Sequence, residues 1–351
     1  MHSRTTINVF HIRAVLAYCV AAFAIFNAHA QPASEIAGAP EKTISVRAFG
    51  NGMRAAGIVV APQRNAPPAS GPRVEGDFPA WLKRDELLGE IPNGNIAIKL
   101  RWEPSTQLAS DAPHFALRLA NHQGYATLNQ RNDRSAVALA EGAQNAAWSE
   151  HAFTPMTMYP PGLYNALLSS TTLPRESIPL GQLMWYGQPV PTDNARDRVR
   201  EAYPEGNAAF TGSAVIARWF RFELPVAKPS FVPRTLAIVS SVDWLEHIGD
   251  QTPVAEITVL QGGAKGASKS LRLGRDTAST WYSFHARGNV QHSQAPVAWS
   301  WRERQESVDF EANAYVARYD LGGANATPDA ITVRYLADEG LLRIYAVVFL
   351  P

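Results

Sequence analysis

Apolar and polar residues alternate with period two through long stretches of this chain. Between 96 and 102, Ile96, Ile98, Leu100 and Trp102 share one face and Lys99 and Arg101 the other, the pattern of a half-buried strand. Phe115, Leu117 and Leu119 repeat it, and 137–139 is a shorter candidate. Two β-like runs, 44–49 and 57–60, flank Gly50-Asn51-Gly52 and predict a hairpin. Residues 61–76 hold Pro62, Pro67, Pro68 and Pro72, which reads as a Pro-rich loop. A helix is predicted over 79–88, with Asp77 near its start and Gly89 past its end. The stretch 148–190 is rich in Pro, Met and aromatics, shows no clean period, and contains a candidate short helix at 162–168. A surface helix is expected over 193–203, stopped by Pro204, and 215–224 returns to a strand.

Pro225, Pro229 and Pro233 then favour an extended connector, so 225–233 reads as a linker between domains. Beyond it the pattern predicts strands at 235–240, 254–260, 270–273, 280–285, 297–302, 315–319, 331–336 and 341–350, parted by Gly, Pro and Asp turns. The last of these alternates around Arg343 and becomes continuously apolar at 347–350, as a central strand does. The expected fold class is therefore mostly β, with two β-sandwich (jelly-roll-like) domains. The first, 43–224, carries short helices and a long irregular insertion; the second is 234–351.

The N-terminus changes the picture. Arg4 and Arg13 precede and open an apolar run over 14–26, no acid appears before Glu35, and Ala28-His29-Ala30 offers a small-residue exit. That is a secretory signal peptide over 1–30, too short to span a membrane. A flexible leader, 31–42, follows. Cys19, the chain's single cysteine, leaves with the signal, so the mature chain has no disulfide and relies on burial. It keeps 30 basic against 31 acidic residues, without the basic excess of a nucleic-acid binder. No later apolar run is long enough to cross a membrane as a helix. Location is expected in the periplasm or outside the cell.

The densest candidate chemistry lies between Trp281 and Trp301. Trp281, Tyr282, His285, His292, Trp299 and Trp301 crowd this stretch, and Arg275-Asp276 precede it. Sugars present flat C–H faces to aromatic rings, and their hydroxyls take bidentate partners such as Arg275, Asp276 or His292. Trp299 and Trp301 share one face, which fits core packing as well as a binding platform. Arg275-Asp276 also reads as a turn ion pair. His285 and His292 lack a ligand partner at zinc spacing, and no acidic run resembles a calcium loop, so no metal or other cofactor is expected.

The run Leu271-Arg272-Leu273-Gly274-Arg275-Asp276-Thr277-Ala278, then Trp281, His292, Tyr315-Val316-Ala317-Arg318 and the closing strand pair over 331–350, resembles galactose-binding-like and carbohydrate-binding jelly-roll modules of bacterial envelope proteins. The resemblance covers about a third of the chain. It implies a jelly roll and a glycan ligand. No nucleophile elbow, zincin, P-loop or dinucleotide motif occurs. The expected function is an exported binding or accessory protein of the envelope, with polysaccharide or another envelope protein as partner. Two alternatives stay open. One is a carbohydrate-active enzyme using carboxylates of the first domain such as Glu141, Glu150, Glu201 and Glu205. The other is a structural envelope subunit.

Overall fold

Period-two runs become strands because each has one apolar face to bury and one face to leave to water. The computed structural model describes residues 39–47, 54–62, 72–92, 94–103, 114–121, 134–135, 147–153, 159–170, 177–187, 190, 192–262, 264–285, 290–305, 307–322 and 327–351, and every strand and sheet below is counted among these. The expected signal peptide, most of the expected leader, 137–139 and Glu141 lie outside the described residues. The first half holds β1 (Lys42–Arg47), β2 (Arg54–Pro62), β3 (Arg73–Gly76), β4 (Gly89–Ile91), β5 (Ile96–Glu103), β6 (His114–Asn121), β7 (Arg134–Ser135), β8 (Ala147–Phe153), β9 (Gly162–Ser170) and β10 (Ser177–Trp185). All of them except β3 form two sheets, a four-stranded one, β1-β2-β5-β8, and a five-stranded one, β4-β10-β9-β6-β7. Ile98, Leu100 and Trp102 of the first meet Leu117, Tyr164 and Trp185 of the second in one core. This is the first sandwich.

The second half contains α1 (Asp193–Ala202), β11 (Asn207–Ala217), β12 (Phe220–Pro225), β13 (Thr235–Asp243), β14 (Pro253–Gln261), β15 (Ala264–Arg272), the single helical turn α2 (Tyr282–His285), β16 (Val297–Gln305), β17 (Val308–Asp320), β18 (Pro328–Tyr335) and β19 (Leu341–Leu350). Two five-stranded sheets, β11-β19-β13-β17-β16 and β15-β14-β18-β12-β3, close on a second core of Phe210, Phe220, Phe222, Leu236, Ile257, Val333 and Phe349. The molecule is thus mostly β, built as two sandwiches. The last strand is central as expected, lying between β11 and β13.

Several elements differ from the sequence expectation, each for a visible reason. Residues 225–233 join β12 to β13 within the second sandwich instead of linking two domains. Val226 and Phe231 pack against that core, Val226 N–H bonds Asp329 C=O, and Arg234 N–H bonds Leu350 C=O. β11 and β12, expected in the first domain, pair with β19 and β18. The helix expected over 79–88 shrinks to one 3-10 turn at Arg84–Glu86: the backbone is already extended at Leu87, and Leu87 and Leu88 enter different cores, as successive side chains on extended backbone do. The stretch 162–168 is β9, with Tyr164, Ala166 and Leu168 buried on one face. The insertion expected over 148–190 contains β8, β9 and β10. The Pro-rich loop gives way to β3 at its end. Residues 280–285 form no strand: Ser279 makes a lone parallel bridge to Val242, and the chain then turns through α2.

The strand expected over 215–224 is broken after Ala217 by a tight turn through Arg218 and Trp219. Trp219 adopts φ +69°, the left-handed region that disfavours any residue with a Cβ by about 1–2 kcal/mol.

β19 shows why its tail is apolar on both faces. Leu342, Ile344, Val347 and Phe349 enter the core between the sheets. On the outer face, Ala346 and Val348 lie under α1, whose Val199 and following Tyr203 reach them at helical spacing. Beyond α1, the same face carries Arg343 and Tyr345 instead.

Candidate functional site

The residues singled out in the sequence fall into three separate arrangements. Arg275 and Asp276 lock the turn after β15. The Asp276 carboxylate, 7 % exposed, accepts the Arg272 N–H at 2.8 Å, Arg275 Nε at 2.9 Å and Arg275 Nη2 at 2.7 Å. Gly274 permits the turn with φ +71°, where a Cβ would run into the Asp250 carboxylate.

His292 forms the second arrangement. It is 2 % exposed; Nδ1 lies 3.2 Å from the Ile248 carbonyl, and Nε2 accepts the Ser279 N–H at 3.2 Å. A carbonyl only accepts, so Nδ1 carries the proton and the ring is neutral. Burial pushes its pKa below the usual histidine value, against a weaker upward pull from the Ile248 carbonyl, Glu246 and Asp250. Tyr282 donates to the His292 carbonyl at 3.2 Å. Both ring nitrogens are thus engaged in holding loops together. The His285 side chain lies outside the described residues.

The third arrangement is an aromatic wall on the outer face of β16. Glu303 accepts the Trp281 indole N–H at 2.8 Å and the Trp301 indole N–H at 2.7 Å, one on each carboxylate oxygen. Trp299 and Trp301 meet Tyr345 edge to face, with centroids 6.3 and 5.7 Å apart. Arg198 of α1 lies 5.8 Å from the Trp301 centroid and donates to the Ser300 carbonyl at 3.1 Å. All three tryptophans are half-buried. Beside the wall, Arg343 and Asp243 pair at 2.7 Å with both side chains mostly buried. Burial pushes the Tyr345 phenol up to about 12.

The carboxylates considered for catalysis are dispersed. Glu150 stands on β8, 3.8 Å from Lys99, whereas Glu201 lies in the last turn of α1 and Glu205 follows the helix, both exposed. Among the described residues, no group of three or more His, Cys, Asp or Glu is placed to hold a metal.

A different constellation faces solvent at the end of the second sandwich. A cleft of about 170 Å³ is lined by Asp77, Arg218, Trp219, Arg334, Tyr335, Leu336, Ala337 and Asp338. The β11–β12 turn supplies Arg218 and Trp219, and the loop after β3 is tied to it by the Asp77 N–H on the Trp219 carbonyl at 2.7 Å. That loop carries Trp81, whose ring is 64 % exposed and meets Trp219 edge to face at 5.3 Å. Beneath it Phe78 packs on Phe220 and Tyr186 in the core, which fixes the loop's position. The Arg218 guanidinium lies 4.9 Å from the Trp219 centroid. Arg218 stands 3.5 Å from Asp338, and Arg334 stands 3.9 Å from Asp77. The Tyr335 hydroxyl already donates to the Glu339 carbonyl, so it offers the cleft little.

The sequence held a signal for this cleft. Trp219-Phe220 puts aromatics at consecutive positions, and a period-two strand cannot send both into one core. Phe220 is buried; Trp219 is the one turned out. Chemically, the cleft offers the Trp219 indole and apolar Leu336 and Ala337 to C–H groups, and both donors and acceptors to hydroxyls.

No family model and no curated protein matches the sequence. Among solved structures, the chain is similar to one of the carbohydrate-binding modules from the β-sandwich superfamily, at 11 % identity and a TM-score of 0.20, over 81 % of this chain and 100 % of that one. A likeness that low carries nothing about the ligand.

Proposed function

We propose that the protein is exported to the cell envelope and binds polysaccharide there through its second sandwich, with the Trp81–Trp219 cleft as the contact surface. The observation that carries this reading is Trp81, a residue 64 % exposed, whose ring meets edge to face that of Trp219, a lining residue of a cleft that also holds two arginines and two aspartates. An exposed tryptophan contributes little to folding, whereas covering it with a sugar face removes apolar area from water at about 25 cal/mol per Å². The surrounding charged groups supply directional hydrogen bonds, the division of labour found in ligand sites generally. The signal-like N-terminus supports export.

The test is a pull-down by envelope polysaccharide, paired with a melting curve. The exported protein used for it should begin at Gln31. Trp81→Ala should lose retention on the polysaccharide while its melting temperature stays within about two degrees of the parent, as surface changes usually do. Trp301→Ala should do the reverse, because it removes an indole held by Glu303, Tyr345 and Arg198. Retention of Trp81→Ala at the parent level would overturn the reading.

A further inference from the structure

Resting on that reading of the cleft, we infer that it takes one neutral pyranose at a time, a chain end or single-sugar branch, and discriminates against uronic acids. Size is the first argument. At about 170 Å³ the cleft is smaller than the roughly 300–1,000 Å³ that accepts drug-sized ligands. One sugar ring fits such a space; a run of several does not. Trp81 is not among the cleft's lining residues but meets Trp219, which is, edge to face at 5.3 Å, and as a mostly exposed residue it can cover a face of the next residue of the glycan.

Charge is the second argument. Two guanidinium groups, Arg218 and Arg334, are each paired with a carboxylate, Asp338 and Asp77, so the charges lining the cleft cancel. The pairs stand at 3.5 and 3.9 Å, longer than the 2.7–2.9 Å of a tight charge-assisted hydrogen bond. Each arginine side chain is about half exposed, at 49 and 54 %. A hydroxyl can therefore enter beside each pair, accepting from the guanidinium and donating to the carboxylate. A uronate that reaches either arginine meets an aspartate at the same distance, and an amino sugar meets the opposite conflict. A neutral polyol meets neither.

The floor is the third. Trp219, Leu336 and Ala337 are apolar, and Leu336 is 41 % exposed. A sugar ring laid on them buries its C–H face while its hydroxyl edge points to the charged rim. The left-handed Trp219 backbone fixes the indole in this floor, with the Arg218 guanidinium 4.9 Å from its centroid.

The experiment titrates the full mature chain with a panel of neutral methyl hexopyranosides and with the methyl uronides of matching configuration, followed by calorimetry and tryptophan fluorescence. At least one neutral glycoside should saturate the protein, and its uronide should bind about tenfold more weakly or worse, since a like-charge contact at about 4 Å costs nearly that in bulk water and more at a protein surface. In Asp77→Asn/Asp338→Asn that gap should close, with the melting temperature kept as a control on the fold. A uronide that binds as tightly as its neutral counterpart overturns the inference, as does binding of oligosaccharides with no saturation by any single sugar. Both of those results leave polysaccharide binding intact. Failure of the parent protein to bind any polysaccharide fraction overturns the function proposed above together with the inference.

Discussion

At the scale of single residues, the second sandwich turns its conspicuous side chains toward one another. Asp276 is saturated by its own turn, Glu303 by two indoles, and His292 by one acceptor and one donor from separate loops. His292 gives this a measurable consequence. Its pKa is lowered on folding, chiefly by burial, so the folded state prefers the neutral ring. A base depressed in this way contributes stability that is fully present above its unfolded value of about 6.5. That contribution falls away as the pH drops from there through the depressed folded value. The parent protein should therefore melt earlier as the pH is lowered from 7 toward 5. His292→Gln, which keeps a donor and an acceptor but cannot charge, should show a shallower slope across that window. Equal slopes in the two proteins would mean that His292 does not titrate between the folded and unfolded states.

At the scale of elements, the turn between β11 and β12 concentrates strain and exposure in one place. Trp219 holds φ +69° with a bulky side chain, where glycine would adopt the same backbone without penalty. Trp219→Ala keeps the strain and discards the ring; Trp219→Gly discards both. The glycine variant should accordingly be more stable than the alanine variant by about 1 kcal/mol, measured by urea denaturation. That is the reverse of the order expected for an ordinary strand position. Both should lose polysaccharide retention. If alanine proves the more stable, the turn is not left-handed in solution. This turn also marks the limit of what the sequence disclosed. Strands with clean alternation, such as β5 and β19, were legible to within a residue or two, because one face of each is buried and the period reports it. The break at Arg218-Trp219 was not, since the chain places no Gly, Asn or Pro there. The expected strand at 280–285 failed differently. Its aromatic residues have strand-like composition, yet they lie at the start of a helical turn, where Trp281 bonds Glu303 and Tyr282 bonds the His292 carbonyl. Composition reports burial, not which element achieves it. For the same reason the aromatic wall was visible as a cluster in the sequence, while the cleft left only the trace of consecutive aromatics at Trp219-Phe220. Asp77, Trp81, Arg218, Arg334 and Asp338 are brought together only by β3 pairing with β12 and β12 with β18.

At the scale of the whole molecule, the boundary that prolines suggest at 225–233 is not where the strands divide. A chain beginning near Lys228 would lose α1, β11, β12 and β3. β19 would then expose the edge that β11 pairs, and β18 the edge that β12 pairs. Phe210, Phe220 and Phe222 would leave the core, and α1 would uncover Ala346 and Val348. Truncating one buried phenylalanine typically costs about 3–5 kcal/mol, and a domain's whole stability is about 5–15 kcal/mol. Losing three such rings with two strands exceeds what the remainder can supply. A chain beginning at Thr192 keeps α1, β11 and β12, and lacks only the edge strand β3 from its two sheets. Its core also forgoes Val74, Leu87, Met184 and Tyr186. The expected result is a soluble protein from Thr192 with a β-type circular dichroism spectrum and a cooperative, earlier melt. The protein from Lys228 should be insoluble, or compact without cooperative unfolding. Cooperative folding of the shorter chain would show that β11 and β12 are dispensable to the second core. Failure of both would place the unit of folding at the two sandwiches together, coupled through the seam where Leu87 and Leu88 enter different cores and Met184 and Trp185 do the same.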